Sequence, residues 1–165
     1  MAIVSVGPSG PALRDRDAIA WLAGIGIDYE RWMLARNLPE TASAEQILSA
    51  YATRINAWKL RGGYAIADVI DVWPHTPGLD EMLAKFNREH WHSEDEVRFV
   101  IEGGGIFWVR DPHGRLVAIE VEPGDMIRVP DGTRHWFTLR EDRRIRAIRL
   151  FQDPAGRTPH YTAAA

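Results

Sequence analysis

Cysteine is absent from the 165 residues. That excludes disulfides, thiolate metal sites and cysteine nucleophiles, so any metal must be held by nitrogen and oxygen. No apolar run approaches the roughly 20 residues that span a bilayer. The start of the chain, Met1 to Pro8, lacks the basic region and apolar run of a secretory leader, so none is expected. Neither charge dominates: 20 Lys and Arg stand against 23 Asp and Glu, a net charge of -3. A general electrostatic grip on nucleic acid or on an anionic membrane is therefore not expected. The local basic cluster Arg140, Arg143, Arg144 and Arg146 is interrupted by Glu141 and Asp142 and reads as a solvated hairpin. Internal repeats and low-complexity segments are missing too, and Ala163 to Ala165 read as a frayed tail. These features predict a cytoplasmic globular protein, with one domain over residues 1–165.

The seven tryptophans are a high count for this length, and most read as core. Two helices are predicted early. Asp15 to Ala23 places Ile19, Leu22 and Ala23 on one face. Ser43 to Lys59 opens with a capping box, Ser43 and Gln46, and sets Ile47, Tyr51, Ile55 and Trp58 at helical spacing. Arg61-Gly62-Gly63 ends it. Tyr64 to Val72 reads as a strand and Leu79 to Phe86 as a short helix. From Glu89 the texture changes. Strand-like runs recur at Glu96 to Ile101, Ile106 to Arg110, Leu116 to Val121, Asp125 to Val129, His135 to Leu139 and Ile145 to Phe151, separated by Gly- and Pro-rich turns. This is the pattern of an antiparallel sandwich or jelly roll.

The chemistry concentrates in two segments. His90 and His92 are two apart, so on a strand they point to one face, and Glu96 keeps the same parity. His135 arrives from a distant segment. Three imidazoles and a carboxylate suit a first-row transition metal, and a closed structural zinc site would more often use Cys. Four such ligands leave two positions of an octahedral ion open, as a bidentate substrate or substrate plus O2 requires. The set favours Fe(II), Ni(II) or Mn(II). Arg98 shares the parity of Glu96 and projects into the same interior. There it meets either an anionic substrate or a carboxylate such as Glu102 or Glu94, and spacing does not choose between them. Phe137, two residues after His135, faces the same interior as a pocket wall or as core. His75, His113 and His160 lie in turns or near the C-terminus and read as exposed.

An HxH pair alone is a weak signal, but the wider spacings sharpen it. HxHxxxE followed by six residues and Gly is met by His90, His92, Glu96 and Gly103. GxxxxxPxGxxH is met by Gly124, Pro130, Gly132 and His135. These spacings resemble the two motifs of the cupin superfamily. The resemblance implies a mainly β chain, with an N-terminal helical segment at about 15–60 and a cupin-type antiparallel β-barrel or jelly roll at about 64–151.

Longer segments carry a narrower resemblance. Glu89-His90-Trp91-His92-Ser93-Glu94-Asp95-Glu96-Val97-Arg98-Phe99, Val129 to Phe137 and Ala147 to Gly156 resemble the acireductone dioxygenases of methionine salvage, as do Gly26 to Trp32 and Lys85-Phe86. This resemblance implies that His90, His92, Glu96 and His135 hold one Fe(II) or Ni(II) per chain. It implies that Arg98 and Arg149 hold the substrate anion, and that Phe86 and Phe137 wall the pocket. The implied reactants are 1,2-dihydroxy-5-(methylthio)pent-1-en-3-one and O2. Fe(II) gives formate and 4-methylthio-2-oxobutanoate; Ni(II) gives methylthiopropionate, formate and CO. A monomer is implied as well. The competing reading is another cupin, enzymatic or merely binding, that takes a different anionic chelator. Two positions depart from the family's habit: Trp91 between the two histidines, and Arg157 where a Trp is frequent.

Overall fold

A computed structural model describes residues 1–162; at 156–157 it describes the backbone only, and Ala163 to Ala165 lie outside the described residues. The chain runs β1 (Ile3–Val6), β2 (Ala12–Leu13), α1 (Asp15–Gly24), β3 (Asp28–Arg31), α2 (Ala44–Ala50), α3 (Ala52–Gly62), β4 (Ile66–Val72) and α4 (Leu79–Phe86). It continues through β5 (His90–Trp91), β6 (Glu96–Gly103), β7 (Gly105–Arg110), β8 (Leu116–Val121), β9 (Asp125–Val129), β10 (His135–Leu139), β11 (Ile145–Phe151) and β12 (His160–Tyr161). The described residues hold no helix long and apolar enough to cross a membrane.

The strands form two antiparallel sheets. One has the order β12-β5-β10-β7-β8-β1-β2, the other β3-β9-β6-β11-β4. Between them lies one core, with Val4, Phe107, Val109, Val117, Ile119 and Val121 facing Val72, Val100, Ile127, Val129 and Ala147. Strand periodicity puts the other half of β6 and β11 on the outer face, where Val97, Phe99, Ile101, Ile148 and Leu150 meet α2 and α3 through Ile47, Tyr51, Ile55 and Trp58. The expected barrel is corrected in one respect. Among the described residues no ladder joins the two sheets, so they stack as a jelly-roll-like sandwich and do not close. Side-chain interdigitation, rather than edge hydrogen bonding, holds them face to face.

Most predicted elements are present, and the departures have local causes. The capping box forms, Ser43 Oγ accepting from Gln46 N–H while the Gln46 side chain accepts from Ser43 N–H. Gly63, at φ +69°, closes α3 in the left-handed conformation that glycine tolerates. The single predicted helix bends at Tyr51, whose hydroxyl accepts from Ala35 N–H and whose ring stands edge-on to Phe99. In α1 the buried residues are Ala18 and Leu22, which join the core between the sheets; Ile19 and Ala23, expected on that face, are exposed. The strands β1, β2, β3, β5 and β12 were not expected. They are two to four residues long and exist through pairing with distant partners, as β1 does with β8 and β3 with β9. The basic cluster is also corrected. Arg146 is wholly buried and Arg144 lies over the Trp73 ring at 3.6 Å.

Candidate metal centre

His90 comes from β5, His92 from the residue just after it, Glu96 from the start of β6 and His135 from the start of β10. The pairing of His135 with His90 brings the two sequence motifs side by side. The ligand atoms of His90, His92 and His135 all lie within 4.8 Å of one another. Glu96 reaches in from the facing sheet, its Oε2 2.6 Å from His135 Nε2 and 3.7 Å from His92 Nε2.

Each imidazole is oriented by a backbone carbonyl. Nδ1–H of His90 donates to Arg88 O at 2.6 Å, that of His135 to Thr133 O at 2.8 Å, and that of His92 to Thr158 O at 3.2 Å. A carbonyl has no proton to give, so Nδ1 carries the hydrogen and the three Nε2 lone pairs are left to converge. Two of these carbonyls sit two residues before their histidine. The third comes from the C-terminal segment, which sequence spacing gave no reason to place there.

This donor set fits a divalent metal on its own geometry. With His135 neutral, its Nε2 lone pair would face a Glu96 oxygen, two acceptors at hydrogen-bond distance, a contact that only a cation or a proton makes favourable. Burial pushes the His90 imidazole down to about 4, with the charge of His135 acting in the same direction. Burial lowers His92 too. For His135 burial acts downward but Glu96 outweighs it, and the group is raised. Burial would raise Glu96, yet the Arg98 guanidinium and then His135 hold it well below the usual carboxylate range. His90 and His92 are thus neutral near pH 7, as ligation requires, and Glu96 is anionic.

Arg98 resolves the choice left by its spacing toward a carboxylate, but toward Glu96 rather than Glu102 or Glu94. Its Nε donates to Glu96 Oε1 at 2.6 Å, and Nη2 reaches the same oxygen. Glu102 instead serves Arg144 and Arg146, and Glu94 accepts from the backbone of Gln152 and Asp153. A mostly apolar cavity adjoins the centre, lined by His90, Glu96, Arg98, His135, Phe86 and Phe137 with aliphatic side chains behind them. Phe86 ends α4 with its ring centre 5.9 Å from the Arg98 guanidinium; Phe137 also packs on Phe107 at 4.9 Å. Arg149 is not in the cavity lining. It stands one strand behind Arg98 and is bonded by Asp68, a carboxylate the sequence spacing did not single out, in a strand that is apolar apart from Asp68 and Asp71. Trp91 turns away from the centre and stacks on His160 at 4.3 Å. The Arg157 side chain lies outside the described residues. A larger open groove of about 660 Å³, lined by residues such as Arg110, Asp111 and Arg134, shares none of these ligands.

Residues 19–159 match the ARD/ARD' family. The chain belongs to that family. Among its relatives, the acireductone dioxygenase of Methylococcus capsulatus is 42% identical over 160 residues, which cover 96% of this chain and 86% of that protein. The acireductone dioxygenase of Bacillus subtilis is 42% identical over 142 residues, 81% of this chain and 79% of that one. The solved acireductone dioxygenase from Bacillus anthracis, with a cadmium ion in its active centre, superposes with a TM-score of 0.91 at 36% identity and covers 98% of both chains. The ARD/ARD' fold is therefore shared from end to end.

Proposed function

We propose that this chain is a metal-dependent dioxygenase that cleaves acireductone, 1,2-dihydroxy-5-(methylthio)pent-1-en-3-one, with O2. The observation that carries the reading is the convergence of three Nε2 atoms, each imidazole oriented by a backbone carbonyl, on the carboxylate of Glu96 beside a mostly apolar cavity. His90, His92, Glu96 and His135 hold one Fe(II) or Ni(II). When bound, that ion would supply Lewis-acid stabilisation of the electron-rich enediolate.

The remaining residues bind, orient and exclude water. Arg98 lines the cavity and offers a fixed guanidinium to the enediolate, whose charge an apolar surround would otherwise disfavour. Arg149 stands beside Arg98 on the next strand, its guanidinium taken by Asp68, and supports that side of the site. Phe86 and Phe137 wall the site, and Met82 and Leu83 of α4 present apolar surface that suits a methylthioethyl tail. The apolar surround of the cavity keeps these electrostatic interactions strong. The products are formate and 4-methylthio-2-oxobutanoate with Fe(II), or methylthiopropionate, formate and CO with Ni(II). The reading carries with it a monomeric cytoplasmic enzyme.

Anaerobic metal removal, separate reconstitution with Fe(II) and Ni(II), and an assay of acireductone loss on O2 addition test it. Turnover is expected only with metal, and CO only with Ni(II). His90→Ala is expected to lose both metal retention and turnover; full activity of the metal-free protein overturns the reading.

A further inference from the structure

A row of charged side chains beside the metal centre exceeds what metal binding requires. Strands β6, β11 and β4 are neighbours, and Arg98, Arg149 and Asp68 lie directly opposite one another across them. Residues opposite one another share a face of the sheet. Glu96, two residues before Arg98, belongs to that face too. Glu96 takes Nε and Nη2 of Arg98. Asp68 takes Arg149 fork to fork, Nε to Oδ1 at 2.7 Å and Nη2 to Oδ2 at 2.6 Å. None of the four side chains is more than 28% exposed, so solvent screens them only in part. The order is negative, positive, positive, negative, with no net charge.

Two like charges directly opposite each other are unfavourable in a sheet. Here each guanidinium is held by its own carboxylate: Asp68 on the strand beyond Arg149, and Glu96 along the same strand as Arg98. Only Arg98 reaches the cavity lining. We propose that Asp68 is a positioning residue that sets the anion affinity of the site: it anchors Arg149 and offsets its charge, so that a bound anion meets the field of Arg98 without a second net positive charge behind it. This rests on the reading that an anion binds at the metal beside Arg98. Under that reading the substrate and the carboxylate products are all anions. A second free guanidinium would hold them all more tightly, which lowers KM without speeding the chemical step and retards product release.

The test uses the full chain loaded with metal under anaerobic conditions, and 2-oxobutanoate as an inert anionic probe in a calorimetric titration. Asp68→Asn is expected to lower the probe's dissociation constant roughly three- to tenfold, with the gain shrinking as salt is added. Arg149→Gln removes the positive charge opposite Asp68 while keeping the carboxylate, and is expected to shift it by a similar factor in the opposite direction. The double variant restores charge balance and returns near the wild-type value, and Asp68→Glu does so as well. A role in packing alone would not give opposite signs. Unchanged probe affinity in the single variants, with metal retained, overturns the proposal; if one variant does not fold, the sign of the other decides. The titration needs no turnover. A wild-type chain that binds the probe but leaves acireductone intact removes the substrate reading, while opposite shifts in the two variants still uphold the role of Asp68.

Discussion

At the residue scale, the side chains that matter are those whose burial is tolerated only because partners surround them. Arg146 is 1% exposed and donates to Glu102, Asp71 and the carbonyls of Pro39, Glu40 and Ala42, pinning the turn before α2 onto β11. Arg146→Met would take that donor from the carbonyls of Pro39, Glu40 and Ala42 and leave Glu102 and Asp71 to Arg144 alone. It is expected to cost about 3 kcal/mol in denaturant unfolding with metal binding kept, since the residue faces away from the centre. Tyr29 gives a pH signature. Its hydroxyl donates to buried Asp125 and accepts from Ala2 N–H, and burial, then the Asp125 bond, pushes it from 10.0 up to about 12. A raised folded value means the folded state keeps a proton that the unfolded chain releases. The stabilisation is therefore complete below pH 10 and is lost as pH climbs toward 12. Unfolding measured across that window is expected to lose roughly 2–3 kcal/mol from this group. Tyr29→Phe is expected to flatten the decline, leaving the part due to Tyr64, which burial and Asp95 also raise.

At the element scale, sequence pattern and structure agree wherever an element carries its own instruction. The stripe Ile47, Tyr51, Ile55, Trp58 is buried as its spacing predicted, because helical period alone sets which face is apolar. The six strands after Glu89 keep their predicted places, bounded by turns that glycine makes affordable. The β6–β7 turn is the tightest of these. Gly103 has φ +67°, and a Cβ there would stand 1.9 Å from the Arg144 carbonyl oxygen. Gly103→Ala is expected to destabilise the fold by at least about 1–3 kcal/mol, read as a lowered denaturant midpoint with an unchanged slope. Strands β1, β3, β5 and β12 were not legible, since two to four residues carry no period and their hydrogen bonds are supplied by partners as far away as Glu120 is from Ile3.

At the scale of the whole molecule, the metal centre is a meeting of three parts of the chain. Two belong to the sandwich. The third is the C-terminal segment, held by Glu94 at Gln152 and Asp153, by Thr162 N–H donating to Glu89 O, and by Tyr161 donating to Lys85 O. Its Thr158 carbonyl orients His92. Ending the chain at Phe151 is expected to leave the sandwich folded but to weaken metal affinity about 10- to 100-fold, measured by competition with a chelator. Sequence alone determined the inventory and its chemistry. Nitrogen and oxygen ligands, two histidines of one parity, a matching carboxylate and arginine, and the alternation that makes a sandwich are all local properties of side-chain type and period. Tertiary structure decided the rest: that Arg98 bonds Glu96, that Arg149 is taken by Asp68, that Arg146 is buried, and that the sheets stack without closing. Those outcomes depend on which strands become neighbours and in what register, and register is set by the packing of the whole chain.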